Sequence, residues 1–328
     1  MIPHIKFAHL PTAIEMMPRL STVLGGPRLW VKRDDQTGVG FGGNKTRKLE
    51  YVLAEAQAGG ARTLITVGGI QSNHCRQTAA LAARLGIRCV LVLSGDPGVN
   101  PNGNVLLDEL FGAQVIWTTR AEREKVLTYT FDVAWEDGDR PFLIPLGAST
   151  PTGTIGYVTA FQEFLAQQVD VDWIIVASSS AGTQAGLALG ARLANWHGKV
   201  LGISIDHPAA ELQTAVANLA NEAADRLGER VDLTPDDILV NDQYLGGGYA
   251  VMGPPEIEAI KLFAANEGLL LDPVYTGRAA AGMIDLIRQG YFKPTDRILF
   301  WHTGGTPALF AEPYASMLYG GNQTGKLE

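Results

Sequence analysis

The chain has 328 residues, 46% of them hydrophobic and 18% charged, with 38 glycines and 17 prolines. That composition excludes a disordered or collagen-like chain, and a fold of this length buries roughly 75% of the surface its unfolded chain exposes, so it needs no disulfide or structural metal. The formal net charge of −8 argues against nucleic acid as the main partner, because neutralising phosphates takes a basic surface.

The cysteines, Cys75 and Cys89, form no C-x-x-C pair and have no histidine at ligand spacing. Neither a disulfide framework nor a zinc site is expected, which suits a reducing, cytoplasmic setting. His4, Lys6, His9, Glu15, Arg19 and Arg28 interrupt the first thirty residues, so no signal-peptide core is expected there. No stretch approaches a membrane span. The polar end from Thr324 to Glu328 reads as a frayed tail.

In chain order, Val-, Ile- and Leu-rich runs predict strands at 63–67, 88–93, 114–118, 173–177, 200–205 and 297–301, with a possible strand at 29–32. Helical periodicity predicts helices at 44–58, 74–85, 102–111, 121–136, 182–195, 208–226, 254–266 and 278–288. This alternation is that of an α/β fold with largely parallel sheets. The segment 144–154, with Pro145, Gly147, Pro151 and Gly153, predicts the boundary between two such units.

Five motifs follow strands or open helices. Gly38 to Gly43 matches G-x-G-x-x-G, but the next strand offers no acidic residue for a ribose, so a flexible turn is the better reading. Lys45, in Gly-Gly-Asn-Lys-Thr-Arg-Lys, falls in the first turn of a helix. The helix's partial positive charge, with Arg47 and Lys48, would press Lys45 towards the neutral amine that forms Schiff bases; the plain alternative is a solvated basic helix start. The turn Gln71-Ser72-Asn73-His74 opens a helix where orphan N–H groups can receive a carboxylate, or where Ser72 or Asn73 is simply a cap.

Ser178-Ser179-Ser180-Ala181-Gly182-Thr183 sets hydroxyls and backbone N–H groups at a helix start. Without the G-K-[ST] of a P-loop, it suits a monophosphate ester better than a nucleoside triphosphate. In His302-Thr303-Gly304-Gly305, Thr303 stands at a strand's carboxyl end, where its hydroxyl can meet a ligand ring nitrogen. Tyr249 and Tyr275 sit in glycine-containing loops.

Taken together, these motifs resemble the fold type II pyridoxal-phosphate enzymes, and within them the aminocyclopropane-carboxylate deaminase and D-cysteine desulfhydrase family, over about residues 7–310. The resemblance implies two open, largely parallel twisted sheets with helices on both faces, as in tryptophan synthase β-like enzymes. It implies a small α/β domain at 46–150, a large one from 1–45 and 151–328, and pyridoxal 5'-phosphate in the cleft between them. It implies that Lys45 carries the cofactor, that Asn73 meets its ring hydroxyl, that Ser180, Ala181, Gly182 and Thr183 cradle its phosphate, and that Thr303 meets its ring nitrogen. Tyr275 would lie against the ring, Ser72 and His74 with nearby amides, Asn73 among them, would receive the substrate carboxylate, and Tyr249 would line the pocket. Lys45, Ser72, Tyr249 and Tyr275 form the catalytic set.

Deaminases of this family carry Glu and Leu where this chain has Thr276 and Thr303, as the desulfhydrase branch does. The expected reaction is therefore loss of sulfide from D-cysteine, giving pyruvate and ammonia, with loss of sulfite from L-cysteate as the close alternative. A sulfonate calls for another cation, for which Arg278 or His74 is available in the sequence. The deaminase activity, a racemase of the same fold and a binding protein with dead lysine chemistry are the further alternatives. The implied partners are a small amino-acid substrate and a second copy in a homodimer.

Overall fold

Ile65, Val67, Val90 and Val92 point to one face of a four-stranded sheet, while Leu64, Leu91 and Leu93 point to the other, and helices cover both. That double burial is why these strands read as unbroken apolar runs. The computed structural model describes residues 2–96 and 101–319. The tail expected at Thr324 to Glu328 lies outside the described residues.

The chain begins with β1 (Ile14–Met16), α1 (Pro18–Leu24), β2 (Arg28–Lys32) and α2 (Asn44–Ala58). It continues through β3 (Thr63–Gly69), α3 (Asn73–Leu85), β4 (Arg88–Ser94), α4 (Gly103–Leu110), β5 (Gln114–Thr118), α5 (Arg123–Glu136), β6 (Pro141–Ile144) and α6 (Pro151–Ala166). Then come β7 (Trp173–Ser178), α7 (Gly182–Leu193), β8 (Lys199–Ser204), α8 (Ala209–Leu227), β9 (Leu239–Asn241), α9 (Pro254–Glu267), α10 (Thr276–Arg288), β10 (Arg297–Trp301) and α11 (Tyr314–Tyr319).

The small sheet has the order β5-β4-β3-β6 and is all parallel; the large sheet has the order β1-β2-β10-β7-β8-β9, and only the β1–β2 pairing is antiparallel. The fold class matches the expectation, and the helix at 44–58 and the strands at 114–118 and 297–301 match residue for residue. Helix α6 was not foreseen. Its Pro151 and Gly153 look like turn signals, yet Thr150 caps the helix by accepting from Gly153 N at 2.9 Å, and proline suits a first helical position. The short elements β1, α1, β6, β9 and α11 were also unassigned.

One buried polar network ties the start of α2 to the large sheet. Arg47 donates to Asp34 and Glu163, and the same Asp34 accepts from Tyr157 Oη at 2.6 Å and Trp301 Nε1 at 2.8 Å. Burial opposes the charge of Asp34, but Arg47 and Lys32 hold its carboxyl below the usual range. Helix α6 lies so close to α2 that a Cβ at Gly156 would come within 2.3 Å of Arg47 O. The helix that presents Lys45 is thus fixed from behind.

Candidate active site

The carboxyl ends of β3, β4, β7, β8 and β10 open on a cleft of about 670 Å³. In parallel α/β sheets ligands bind at these ends. Lys45, Ser72, Asn73, His74, Ser180, Ala181, Thr183, Tyr249, Tyr275 and Thr303 all line it. The glycine run from Gly38 to Gly43 does not. It is a tight turn whose Gly38, Gly40, Gly42 and Gly43 all have positive φ.

Lys45 sits in the first turn of α2, half-buried and open to the cleft. Burial takes its ammonium down to about 8. The expected pressure from Arg47 is absent, because that guanidinium turns to the opposite side and is paired with Asp34 and Glu163. Lys48 is fully buried against Ser149 and Gly182, and burial followed by the charge of Lys45 pushes its ammonium well below the ordinary lysine range. Sequence reasoning treated Lys48 only as a neighbouring charge; its spacing of three from Lys45, one helical turn, was the available signal.

Lys48 donates to Ser149 Oγ at 2.8 Å, and Ser149 donates to Ser180 Oγ at 2.9 Å. A Cβ at Gly182 would stand 2.6 Å from Lys48 Nζ, so only glycine lets the ammonium approach this turn. Ala181 has φ +64°, a left-handed conformation that L side chains adopt at a cost, and Gly182 N donates to Ser180 O at 2.8 Å across this turn. Thr183 accepts from Asn44 Nδ2 at 2.9 Å, joining the starts of α2 and α7. Ser149 belongs to the segment expected to be a mere boundary.

Ser72 caps α3, accepting from Cys75 N at 3.2 Å, which leaves its hydroxyl proton for a ligand. Asn104, at the start of α4, donates to Asn73 Oδ1 at 2.9 Å and to Gln71 O at 2.8 Å. These two acceptors orient both amides, so the Asn73 NH₂ points away from Asn104. Asn104 carried no sequence signal, because its role depends on a contact between α3 and α4.

The His74 ring departs from expectation. Thr66 Oγ1 donates to Ile144 O at 2.7 Å, so at 2.8 Å from His74 Nε2 it accepts, and the hydrogen-bond pattern assigns the proton to Nε2. Burial, Lys45 and Lys48 push the imidazolium well below the usual range. A neutral ring with its only N–H engaged cannot donate to a carboxylate. What His74 offers there is its backbone amide in the first turn of α3.

On the opposite wall the hydroxyls of Tyr249 and Tyr275 meet at 2.8 Å. Burial pushes Tyr249 up to about 12 and Tyr275 well above its ordinary value, so both remain phenols. Thr303 lines the cleft, and no hydrogen bond engages its hydroxyl among the described residues. Thr276, by contrast, is turned away and bonded to Asp272 Oδ1 at 2.7 Å.

Arg278 is not a cleft residue. It is buried, paired with Glu256 at 2.8 Å, and donates to Ile205 O, Gly248 O and Val251 O. It therefore braces the loop that carries Tyr249, and it cannot serve a sulfonate.

The family model for pyridoxal-phosphate dependent enzymes matches residues 5–304, and the chain belongs to that family; its cofactor is pyridoxal 5'-phosphate. Among solved structures the chain is similar to an ACC deaminase homologue, 37% identical over 97% of this chain and 95% of that one, with a TM-score of 0.88. It shares its fold with O-ureido-L-serine synthase, 16% identical over 96% of this chain and 94% of that one at TM-score 0.67. It also shares it with threonine deaminase isoform 2 from Solanum lycopersicum, 16% identical over 95% of this chain and 84% of that one at TM-score 0.67.

The residues fit the cofactor. Among the described residues no carboxylate pairs with Lys48, and a buried ammonium beside the first turn of α7 calls for an anion such as a phosphate.

Proposed function

We propose that the protein is a carbon–sulfur lyase that takes a sulfur group from the β-carbon of a small amino acid. D-Cysteine and one water give pyruvate, ammonia and hydrogen sulfide. The observation that carries this reading is the Thr303 end of the cleft. A hydroxyl lies there, while the carboxylate of Asp272 is occupied by Val274 N, Tyr275 N, Thr276 N and the Thr276 hydroxyl. A neutral hydroxyl cannot hold a proton on a pyridine nitrogen as a carboxylate would, which disfavours a long-lived carbanion and favours prompt loss of a β-substituent.

When bound, the cofactor supplies the electron sink for the pair left by the α-proton. Lys45 would carry the cofactor, and its Nζ, a group whose basicity near 8 suits the task, would take the α-proton. The Ser72 hydroxyl and the amides of Asn73 and His74 hold the carboxylate. The Asn73 NH₂ would donate to the ring hydroxyl, Thr303 would meet the ring nitrogen, and Lys48 would join Ser180, Ala181, Gly182 and Thr183 around the phosphate. Tyr275 would lie against the ring, and its pairing with Tyr249 gives a phenol that can pass a proton to the departing sulfur. Strand membership supports the split into a small domain at 46–150 and a large one from 1–45 and 151–328, since β3 to β6 alone form the small sheet.

Loss of sulfite from L-cysteate is the second reading, favoured by two guanidiniums that line the cleft, Arg120 and Arg123. A panel of D- and L-amino acids assayed for pyruvate, sulfide and sulfite tests both. Pyruvate matched by sulfide or sulfite is expected. Inversion without pyruvate would replace the lyase by a racemase, and an oxo acid from aminocyclopropane-carboxylate alone would replace it by a deaminase.

A further inference from the structure

Arg120 and Arg123 lie where the chain leaves β5 and enters α5, and both line the cleft. The Arg120 guanidinium sits over the Tyr249 ring, 5.9 Å from its centroid, a cation–π distance. No carboxylate forms an ion pair with it among the described residues. Arg123 is the first residue of α5, where the helix's partial positive charge disfavours a cation. Its Nε is buried with no hydrogen-bond partner, and the Glu124 carboxylate, 3.5 Å away, is exposed. Its charge is felt at the Cys75 thiol in the first turn of α3, where it opposes the upward push of burial.

The cleft also has acidic lining. Asp96 stands on the same side, and Asp206, with His207 Nε2 3.6 Å from its Oδ1, stands with β8 on the other wall. The carboxylate of an amino acid already has the Ser72 hydroxyl and the α3 amides. Arg120, with no carboxylate partner among the described residues, and Arg123, whose one ion-pair contact is the exposed Glu124, exceed what a substrate with one negative group requires.

We propose that Arg120 and Arg123 form a second anion subsite, selecting amino acids whose side chain ends in a negative group such as a sulfonate or carboxylate. The proposal rests on the reading that an amino acid occupies this cleft, though not on which bond is broken there. It makes the turn between β5 and α5 the part of the site that determines specificity.

Aspartate and asparagine differ in side-chain charge at nearly equal shape, so the holoenzyme is titrated with both, in D and L forms, following the cofactor absorbance. Aspartate should bind at least about tenfold more tightly in the preferred configuration, and added salt should narrow the gap. In Arg120→Gln and Arg123→Gln the aspartate-to-asparagine ratio should fall towards one, and the ratio of kcat/KM for cysteate over cysteine should fall with it. Equal binding of the two by the unmodified protein overturns the proposal without any variant. So does a ratio unchanged in the double variant, or equal weakening of both ligands by Arg123→Gln, which would place that guanidinium on the α-carboxylate. Pyruvate is recorded separately: its absence with every substrate removes the lyase reading, while the binding ratio still decides the subsite.

Discussion

Asn104 Nδ2 donates to Asn73 Oδ1 at 2.9 Å, and that contact decides which end of the Asn73 amide is free for a ligand. In Asn104→Asp the donor becomes an acceptor of the same shape, so Asn73 must turn its NH₂ back towards α4. The cofactor should then bind about 1–2 kcal/mol more weakly, roughly five- to thirtyfold in Kd. Titration of apoprotein with pyridoxal phosphate checks this, and an unchanged Kd would release Asn104 from its positioning role.

The sheets were legible because strands buried on both faces announce themselves as apolar runs, and the site because its turns follow those strands. What was not legible depended on contacts between distant segments. Pro151 and Gly153 read as turn signals until Thr150 is seen to cap the helix they begin and Gly156, further along it, is found to let Arg47 O approach. His74 reads as a carboxylate ligand until Thr66, eight residues earlier, is seen to hold its Nε2. Arg278 reads as a spare cation until Glu256 and three carbonyls are found around it. Residue type suggested the chemistry in each case, and the neighbours decided whether the group was free to perform it.

Capture of the cofactor by apoprotein requires the neutral Lys45 amine. Burial lowers its pKa to about 8, so the capture rate should rise with pH through a midpoint near 8 and level off above it. Stopped-flow absorbance across pH 6.5–10 gives the profile. A midpoint near the ordinary 10.5 would mean that the cleft does not desolvate the amine.

Thr303 is expected to tune the reaction through its neutrality. In Thr303→Asp a negative partner should keep the ring nitrogen protonated, slow the elimination and raise a long-lived, long-wavelength absorbance during turnover. Were Thr303 only a turn residue, the variant would lose thermal stability with unchanged transient spectra, which stopped-flow with D-cysteine and L-cysteate would reveal.

Asp34 should matter to stability well away from the chemistry. Asp34→Asn leaves Arg47 buried with a weakened partner and should cost about 3–5 kcal/mol in urea unfolding. Because the folded carboxyl titrates below the ordinary 3.8, its contribution is complete above that pH and is lost as pH falls through the lower folded value. The gap between variant and parent should therefore close in acid. A gap constant from pH 6 to pH 2 would mean that packing, and not charge, sets the cost.

The claim on which the rest depends is that Lys45 carries the cofactor while Lys48, one turn away and bonded to Ser149 Oγ, holds only the phosphate. Borohydride reduction of the holoenzyme followed by peptide mapping tests it directly. The pyridoxyl group should appear on Lys45, with Lys48 and Lys32 unlabelled. A label on Lys48 would exchange the roles of the two lysines, and a label on Lys32, which is bound to Glu163 and Thr12 O behind the cleft, would contradict the site altogether.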